Sequence, residues 1–387
     1  MNTKQLLATV FPVMFGFVIM AFVDVAGFAT NYIKEQFSLT DTVAGLIPSA
    51  CFVWFFIFSV PTGIAMNRIG RKPIVLCSFL VTILSMLIPY FFKDSLPMVL
   101  VAFALLGIGN ALLQVSLNAL VQDVVSKESL TGTLTIGQAL KSVTCVLVPV
   151  LIPLFAATLG WQFALVVFGI ISLVATVWLW LAPVPRTIDP NANLSVKGTL
   201  ELLKDRTILL FFLGILALVG IDVGTSKTFP LLMQEKTGID LNGSTTLTFV
   251  YPLAKAAIAF CGGVLLMKLK EGKFFSISAV VAFIGYLGMI FFQSKGMLIA
   301  SLVCFGCGYA NLFSIIFGLA LKHAPERSNE VSALLVTGIA GGALVTPLLG
   351  VVTDAFRSQT AAAVLLAAIM LYILYLIVHV NKVANAE

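Results

Sequence analysis

The chain has 387 residues, of which 60% are hydrophobic and 10% charged, and its formal net charge is +6. Soluble domains hold about 25% charged residues, so this composition excludes a soluble globular protein and specifies one that crosses a membrane repeatedly. The basic residues lie mostly between apolar runs and not on one polar face, which argues against nucleic-acid binding; all six cysteines fall inside apolar runs, which argues against a disulfide framework or a zinc site.

A bilayer core takes about 20 mainly apolar helical residues per crossing. Such runs occur at 7–33, 42–66, 73–92, 97–122, 131–156 and 160–182. The first is too long for a signal-peptide core and carries an acid, Asp24, among apolar side chains. A polar stretch from Pro183 to Arg206 follows, and six further runs lie at 207–233, 244–267, 274–293, 297–321, 329–353 and 360–380. The expected architecture is an all-α polytopic membrane protein of 12 transmembrane helices. It divides into an N-terminal six-helix bundle (1–182), a cytoplasmic linker (183–206) and a C-terminal six-helix bundle (207–387).

Cytoplasmic loops carry the excess of Lys and Arg. The termini and even-numbered loops hold 15 (Lys4, Arg68, Arg71, Lys72, Lys127, Arg186, Lys197, Lys204, Arg206, Lys268, Lys270, Lys273, Lys322, Arg327 and Lys382). The odd-numbered loops hold 5 (Lys34, Lys93, Lys236, Lys295 and Arg357), so both termini are expected in the cytoplasm. The halves also resemble each other: "FVDVAGFATNYIKEQFSLTD" from Phe22 lies over "GIDVGTSKTFPLLMQEKTGID" from Gly220, with Asp24 over Asp222 at an offset of 198. Nearly the same offset places Gly107 and Gly109 over Gly306 and Gly308, and Pro149 over Pro347. Parallel repeats of this kind mark transporters with a site near the midplane.

After the second run comes "GIAMNRIGRK", Gly63 to Lys72. It resembles the signature of the major facilitator superfamily between spans 2 and 3, G-x-x-x-D-R-x-G-R-K. Gly63, Arg68, Gly70, Arg71 and Lys72 match it, while Asn67 stands where the family has Asp. The resemblance implies two pseudo-symmetric six-helix bundles, alternating access, a cytoplasmic gate at these six residues, and a monomer. A narrower likeness is to the fucose/glucose/galactose proton symporters. Asp24 matches their span 1 acid, "QVSLNA" from Gln114 matches an E-T-x-x-N-P segment imperfectly, and "IGQAL" around Gln138 is similar to their L-A-Q segment.

Five charged residues fall well inside runs: Asp24, Lys141, Asp222, Lys227 and Lys255. At mid-depth each costs about 2.5–3.5 kcal/mol even on the lenient insertion scale, so such groups face a bundle interior or a wet cavity. Lys227 is near enough to an end to snorkel. The resemblance puts spans 1, 4, 7 and 10 around a central cavity, which makes Asp24 and Asp222 the proton-coupling candidates. The opposing reading is a static ion pair, Asp24 with Lys141 or Asp222 with Lys255. Candidates for solute contact are Gln114, Asn118, Gln138, Lys141, Lys255, Tyr309 and Asn311, because amides offer donors and acceptors and ammonium groups pair with carboxylates. For each amide an interhelical hydrogen bond is the competing use.

These features predict a proton-coupled symporter taking up a small polar solute, a sugar or sugar derivative, with a sugar acid and Na⁺ in place of H⁺ left open. The expected location is a prokaryotic inner membrane. No Walker motif is present, and no metal or other cofactor is called for. A second reading is a proton-coupled exporter of organic anions or amphipathic compounds. A remote third is an intramembrane aspartyl protease using Asp24 and Asp222, but that chemistry needs two carboxylates sharing a proton, and the G-x-G-D context is missing, with "GIDVG" in its place. No enzyme activity is expected.

Overall fold

A computed structural model of the protein describes residues 6–39, 41–185, 195–238 and 245–386, and all regular structure among them is helical. Positions 186–194 of the linker and 239–240, which end the second repeat stretch, lie outside the described residues. The longer helices are α1 (Phe11–Met20), α2 (Val25–Gln36), α3 (Asp41–Ile69), α4 (Arg71–Phe91), α5 (Leu96–Leu120), α6 (Leu130–Ala156), α7 (Gln162–Leu181), the short α8 (Val196–Glu201) and α9 (Arg206–Thr237). They continue as α10 (Thr245–Leu266), α11 (Glu271–Phe291), α12 (Lys295–Tyr309), α13 (Leu312–His323), α14 (Ser328–Thr337), α15 (Gly341–Phe356) and α16 (Gln359–Ala386). Among the described residues 11 helical stretches are long and apolar enough to cross a bilayer, and Leu253–Leu266 of α10 is a shorter apolar helix at the expected eighth span.

Among the described residues three spans are interrupted within their length. The first passes from α1 through a 3-10 turn, Ala21–Asp24, into α2. The tenth breaks between α12 and α13 at Ala310 and Asn311, and the eleventh is interrupted by the 3-10 turn Gly338–Ala340 between α14 and α15. The last break follows from composition: in "GIAGG" the absent side chain of Gly341 lets its backbone approach the Leu216 carbonyl of α9. A membrane tolerates such breaks where other groups take up the freed backbone atoms.

The chain forms two compact units. Unit 1 comprises Met1–Lys127, Leu140–Glu201 and Glu326–Thr337; unit 2 comprises Glu128–Ala139, Leu202–Pro325 and Gly338–Glu387. Within unit 1, α4 packs on α5 and α7, and α3 on α5. Within unit 2, α11 packs on α12 and α16, and α10 on α12. The same neighbours recur, third span with fourth and sixth, second with fourth, which is the sequence repeat expressed in contacts.

Single residues repeat it as well. A Cβ at Gly109 would lie 3.3 Å from the Ser78 carbonyl of α4, and one at Gly308 would lie 2.5 Å from the Ser278 carbonyl of α11. Gln36, at the end of α2, donates to the Lys93 carbonyl at 2.6 Å and accepts from Trp161 and Gln162 at the start of α7, each at 3.0 Å. In unit 2 two residues divide this task. Glu235 accepts from Ser358, Gln359 and Thr360 at the start of α16, and the Lys236 ammonium caps the end of α11 by donating to the carbonyls of Met289, Ile290 and Phe292. An acid at a helix N-terminus and a cation at a C-terminus each complement the helix dipole. Asp205 caps α9 by accepting from the N–H groups of Thr207 and Ile208 at 2.7 and 3.1 Å. Burial works against ionisation there, but the hydrogen bonds from His323 and from these two amides outweigh it and hold the Asp205 carboxyl below its ordinary value.

Candidate functional site

In unit 1 Asp24 closes the 3-10 turn of span 1 and is half-buried. Its Oδ2 accepts from the Cys145 thiol of α6 at 2.7 Å. Lys141 lies on the same face of α6, four residues earlier, and is half-buried. Among the described residues it forms no ion pair with Asp24, so the static Asp24–Lys141 pair is not what this structure contains. The Met20 carbonyl, at the start of the turn, accepts from the Asn110 amide of α5 at 2.8 Å, and Gln114 donates to Asn110 at 2.9 Å. Gln114 thus braces the break that positions Asp24. Asn110 escaped the sequence reading, although an amide four residues before Gln114 on a membrane helix was the signal. Asn118, one turn further along α5, is 1% exposed, and its amide has no hydrogen-bond partner among the described residues.

In unit 2 Asp222 of α9 and Lys255 of α10 form the other expected pair. The ammonium lies 2.9 Å from both carboxylate oxygens, with the Lys255 and Asp222 side chains 18% and 29% exposed. The same ammonium sits 4.8 Å from the centroid of the Tyr309 ring, within cation–π range. The Tyr309 hydroxyl donates to the Leu218 carbonyl at 3.1 Å, which fixes the ring under the ammonium. Asn311 follows at the α12–α13 break, 1% exposed and without a hydrogen-bond partner for its amide among the described residues; its side chain occupies the space that a Cβ on Gly262 of α10 would fill. Gln138 belongs to unit 2 and is half-buried, and Lys227 is exposed.

The Asp222–Lys255 pair has a thermodynamic signature. Removing one partner leaves an uncompensated charge, whereas removing both removes the debt. Asp222→Asn and Lys255→Met are each expected to destabilise the purified protein by roughly 2–4 kcal/mol after allowance for partial exposure, read as a lower thermal midpoint. The double variant should recover most of that loss. Additive losses in the double variant would show that the two groups are not coupled.

The "GIAMNRIGRK" residues form a second cluster within unit 1. Gly70 adopts φ 91°, a left-handed conformation that glycine allows, and its N–H caps α3 on the Met66 carbonyl at 2.8 Å. A Cβ on Gly63 would meet Ala333 of α14 at 2.7 Å, so glycine there permits the close approach of α14 to α3. Arg71 is 7% exposed and holds four groups: Asp123 at 2.7 Å, the Ala119 carbonyl at 3.0 Å, Asn329 at 2.7 Å and Ser328 at 2.5 Å. Asn329 in turn donates to Asn67 at 2.5 Å, and Ser332 donates to the Val115 carbonyl at 2.7 Å. Lys72 caps α7 through the carbonyls of Trp180 and Ala182, and Arg68 is exposed.

Two repeated helical units, each holding an acid within a membrane span, and a buried arginine latch between spans 2, 3 and 4 and α14 define a polytopic carrier fold. A sequence model of the Major Facilitator Superfamily matches residues 10–347, and the chain belongs to that family. It is similar to a glucose/galactose transporter of Brucella abortus biovar 1 (strain 9-941), 25% identical over 348 residues that make up 85% of this chain and 84% of the relative. A putative glucose/galactose transporter of Helicobacter pylori strain J99 is 25% identical over 359 residues, 87% of each chain. Among solved structures, the major facilitator transporter FucP in the outward conformation superposes with a TM-score of 0.81 at 20% identity, covering 95% of this chain and 98% of that one. A human organic anion transporter superposes with a TM-score of 0.78 at 16% identity, covering 97% and 100%.

Proposed function

We propose that the protein is a secondary active symporter that takes up a sugar or sugar derivative together with protons by alternating access. The observation that carries this reading is Asp24, a carboxylate at a helix break in mid-span whose hydrogen-bond donor is a thiol and not a cation. A membrane acid without a fixed counter-charge is suited to binding and releasing a proton, whereas Asp222 is held in an ion pair with Lys255. The likeness to glucose/galactose transporters over most of both chains supports a sugar as the solute. Under this proposal Asn118, Asn311 and Gln138 face solute when the units move. Gln114 and Tyr309 then serve as scaffolding, and Lys141 and Lys255 set the charge around the solute.

Under this proposal the N-terminal bundle (1–182) and the C-terminal bundle (207–387) work as the rocking halves; the two compact units follow these bounds except that 128–139 falls in unit 2 and 326–337 in unit 1. The Gly63–Lys72 cluster closes the cytoplasmic end, with both termini in the cytoplasm of a bacterial cell and the chain acting as a monomer in the inner membrane. The charge distribution over the loops supports that orientation. Proteolysis is disfavoured because Asp222 is paired with a lysine and Asp24 accepts from a thiol, which is not a shared-proton carboxylate pair. Purified protein in liposomes should accumulate labelled sugar when an outside-acid pH gradient is imposed, and the accumulation should collapse with a protonophore. Efflux of amphipathic dyes or organic anions against their gradients, without sugar flux, would replace the symporter with the exporter.

A further inference from the structure

The buried and half-buried lysines of this protein are mostly compensated. Lys255 binds Asp222, Lys322 binds Glu271 at 2.6 Å, and Lys72 and Lys236 sit on helix-terminal carbonyls. Lys141 differs. It lies in the interior of α6, about 17 Å along the axis from the start of that helix, and is half-buried; among the described residues it has neither an ion pair nor a hydrogen bond. It is also placed beside the proton site. Gln138, Lys141 and Cys145 follow one another at three and four residues on one helix face, and Cys145 is the residue that donates to Asp24.

An ammonium at that depth needs an anion, and Asp24 is bound elsewhere. We propose that Lys141 anchors the carboxylate of the transported solute, and that this solute is an acidic sugar, an aldonate or a uronate, in place of a neutral hexose. The inference rests on the proton-symport reading and adds the substrate class to it. The charges balance on both legs of the cycle. In the empty carrier the Asp24 carboxylate and the Lys141 ammonium sum to zero, and Asp222 with Lys255 sums to zero. In the loaded carrier Asp24 has taken a proton from the outer solution and is neutral, and the solute carboxylate, which stays ionised, offsets Lys141. Neither leg then moves net charge through the bilayer core, and one proton enters with one anion, so transport responds to the pH gradient and not to the membrane potential.

The test uses the full-length protein in liposomes with four labelled probes, D-gluconate, D-glucuronate, D-glucose and D-galactose. The pH gradient and a valinomycin-set potassium potential are varied independently. The expected result is accumulation of at least one of the two acids, in preference to both hexoses, at a level unchanged by an inside-negative potential. Lys141→Gln should cut that accumulation about 30-fold or more, as loss of one member of a desolvated charge pair does, while Lys141→Arg should retain it. If Lys141→Gln does not fold, the preference of the wild-type protein and its response to potential decide alone. Proton-driven accumulation of a hexose in preference to both acids, enhanced by an inside-negative potential, would overturn the inference and leave the symport reading standing. An absence of proton-driven uptake of every probe would overturn both.

Discussion

Asp24→Asn is expected to reduce pH-driven accumulation to the level of empty liposomes while leaving solute exchange across the membrane intact. The amide has the size of the acid and can accept from Cys145 as the carboxylate does at 2.7 Å, so span 1 keeps its shape. What is lost is the exchangeable proton. A carrier locked in a proton-loaded mimic can still bind solute and rock between its two faces, but it no longer returns empty with a change of protonation, so it equilibrates and does not concentrate. The measurement is a pair of assays on one preparation: uphill uptake under a pH gradient, and counterflow with solute on both sides and no gradient. Cys145→Ala removes the donor but keeps the acid, and should preserve accumulation while moving its pH profile. Uphill uptake preserved in Asp24→Asn would transfer the coupling role away from span 1.

The spans were legible in the sequence because a bilayer crossing is a long apolar run, and the repeat was legible because Gly109 and Gly308 meet the same carbonyl position on the neighbouring helix. The 3-10 turn Ala21–Asp24 was not. Its residues are "AFVD", with neither glycine nor proline to mark it, and the groups that accommodate it are Asn110 and Gln114, some 90 positions away. The partner of Asp24 was equally hidden. Lys141 and Cys145 lie one helical turn apart on the same face, so spacing alone permitted either, and the structure places the thiol on Asp24. For Asp222 the expected alternative, Lys255, is the observed one. The assignment of 128–139 to unit 2 and 326–337 to unit 1 was also beyond the sequence, because hydropathy reports that a segment is buried and not what buries it.

Arg71→Ala is expected to be among the most destabilising single substitutions in the protein. The guanidinium leaves behind the Asp123 carboxylate, whose side chain is 8% exposed, together with Asn329, Ser328 and the Ala119 carbonyl. Breaking a buried pair by removing one partner costs about 3–5 kcal/mol. Some of the loss should appear locally: α14 loses two of its side-chain anchors to α4, and a cysteine introduced at Ser332, fully buried in the latch, should become reactive to a membrane-impermeant maleimide applied from the Gly63–Lys72 side. The same geometry accounts for Asn67. Arg71 already has its carboxylate in Asp123, and the amide oxygen at position 67 accepts from Asn329 without adding a second buried negative charge. Asn67→Asp should therefore leave melting temperature and Ser332→Cys labelling near the wild-type values, whereas Asn67→Leu, which cannot accept, should raise labelling toward the level of Arg71→Ala. Strong labelling in Asn67→Asp with none in Asn67→Leu would mean that charge, and not hydrogen-bond geometry, governs the latch.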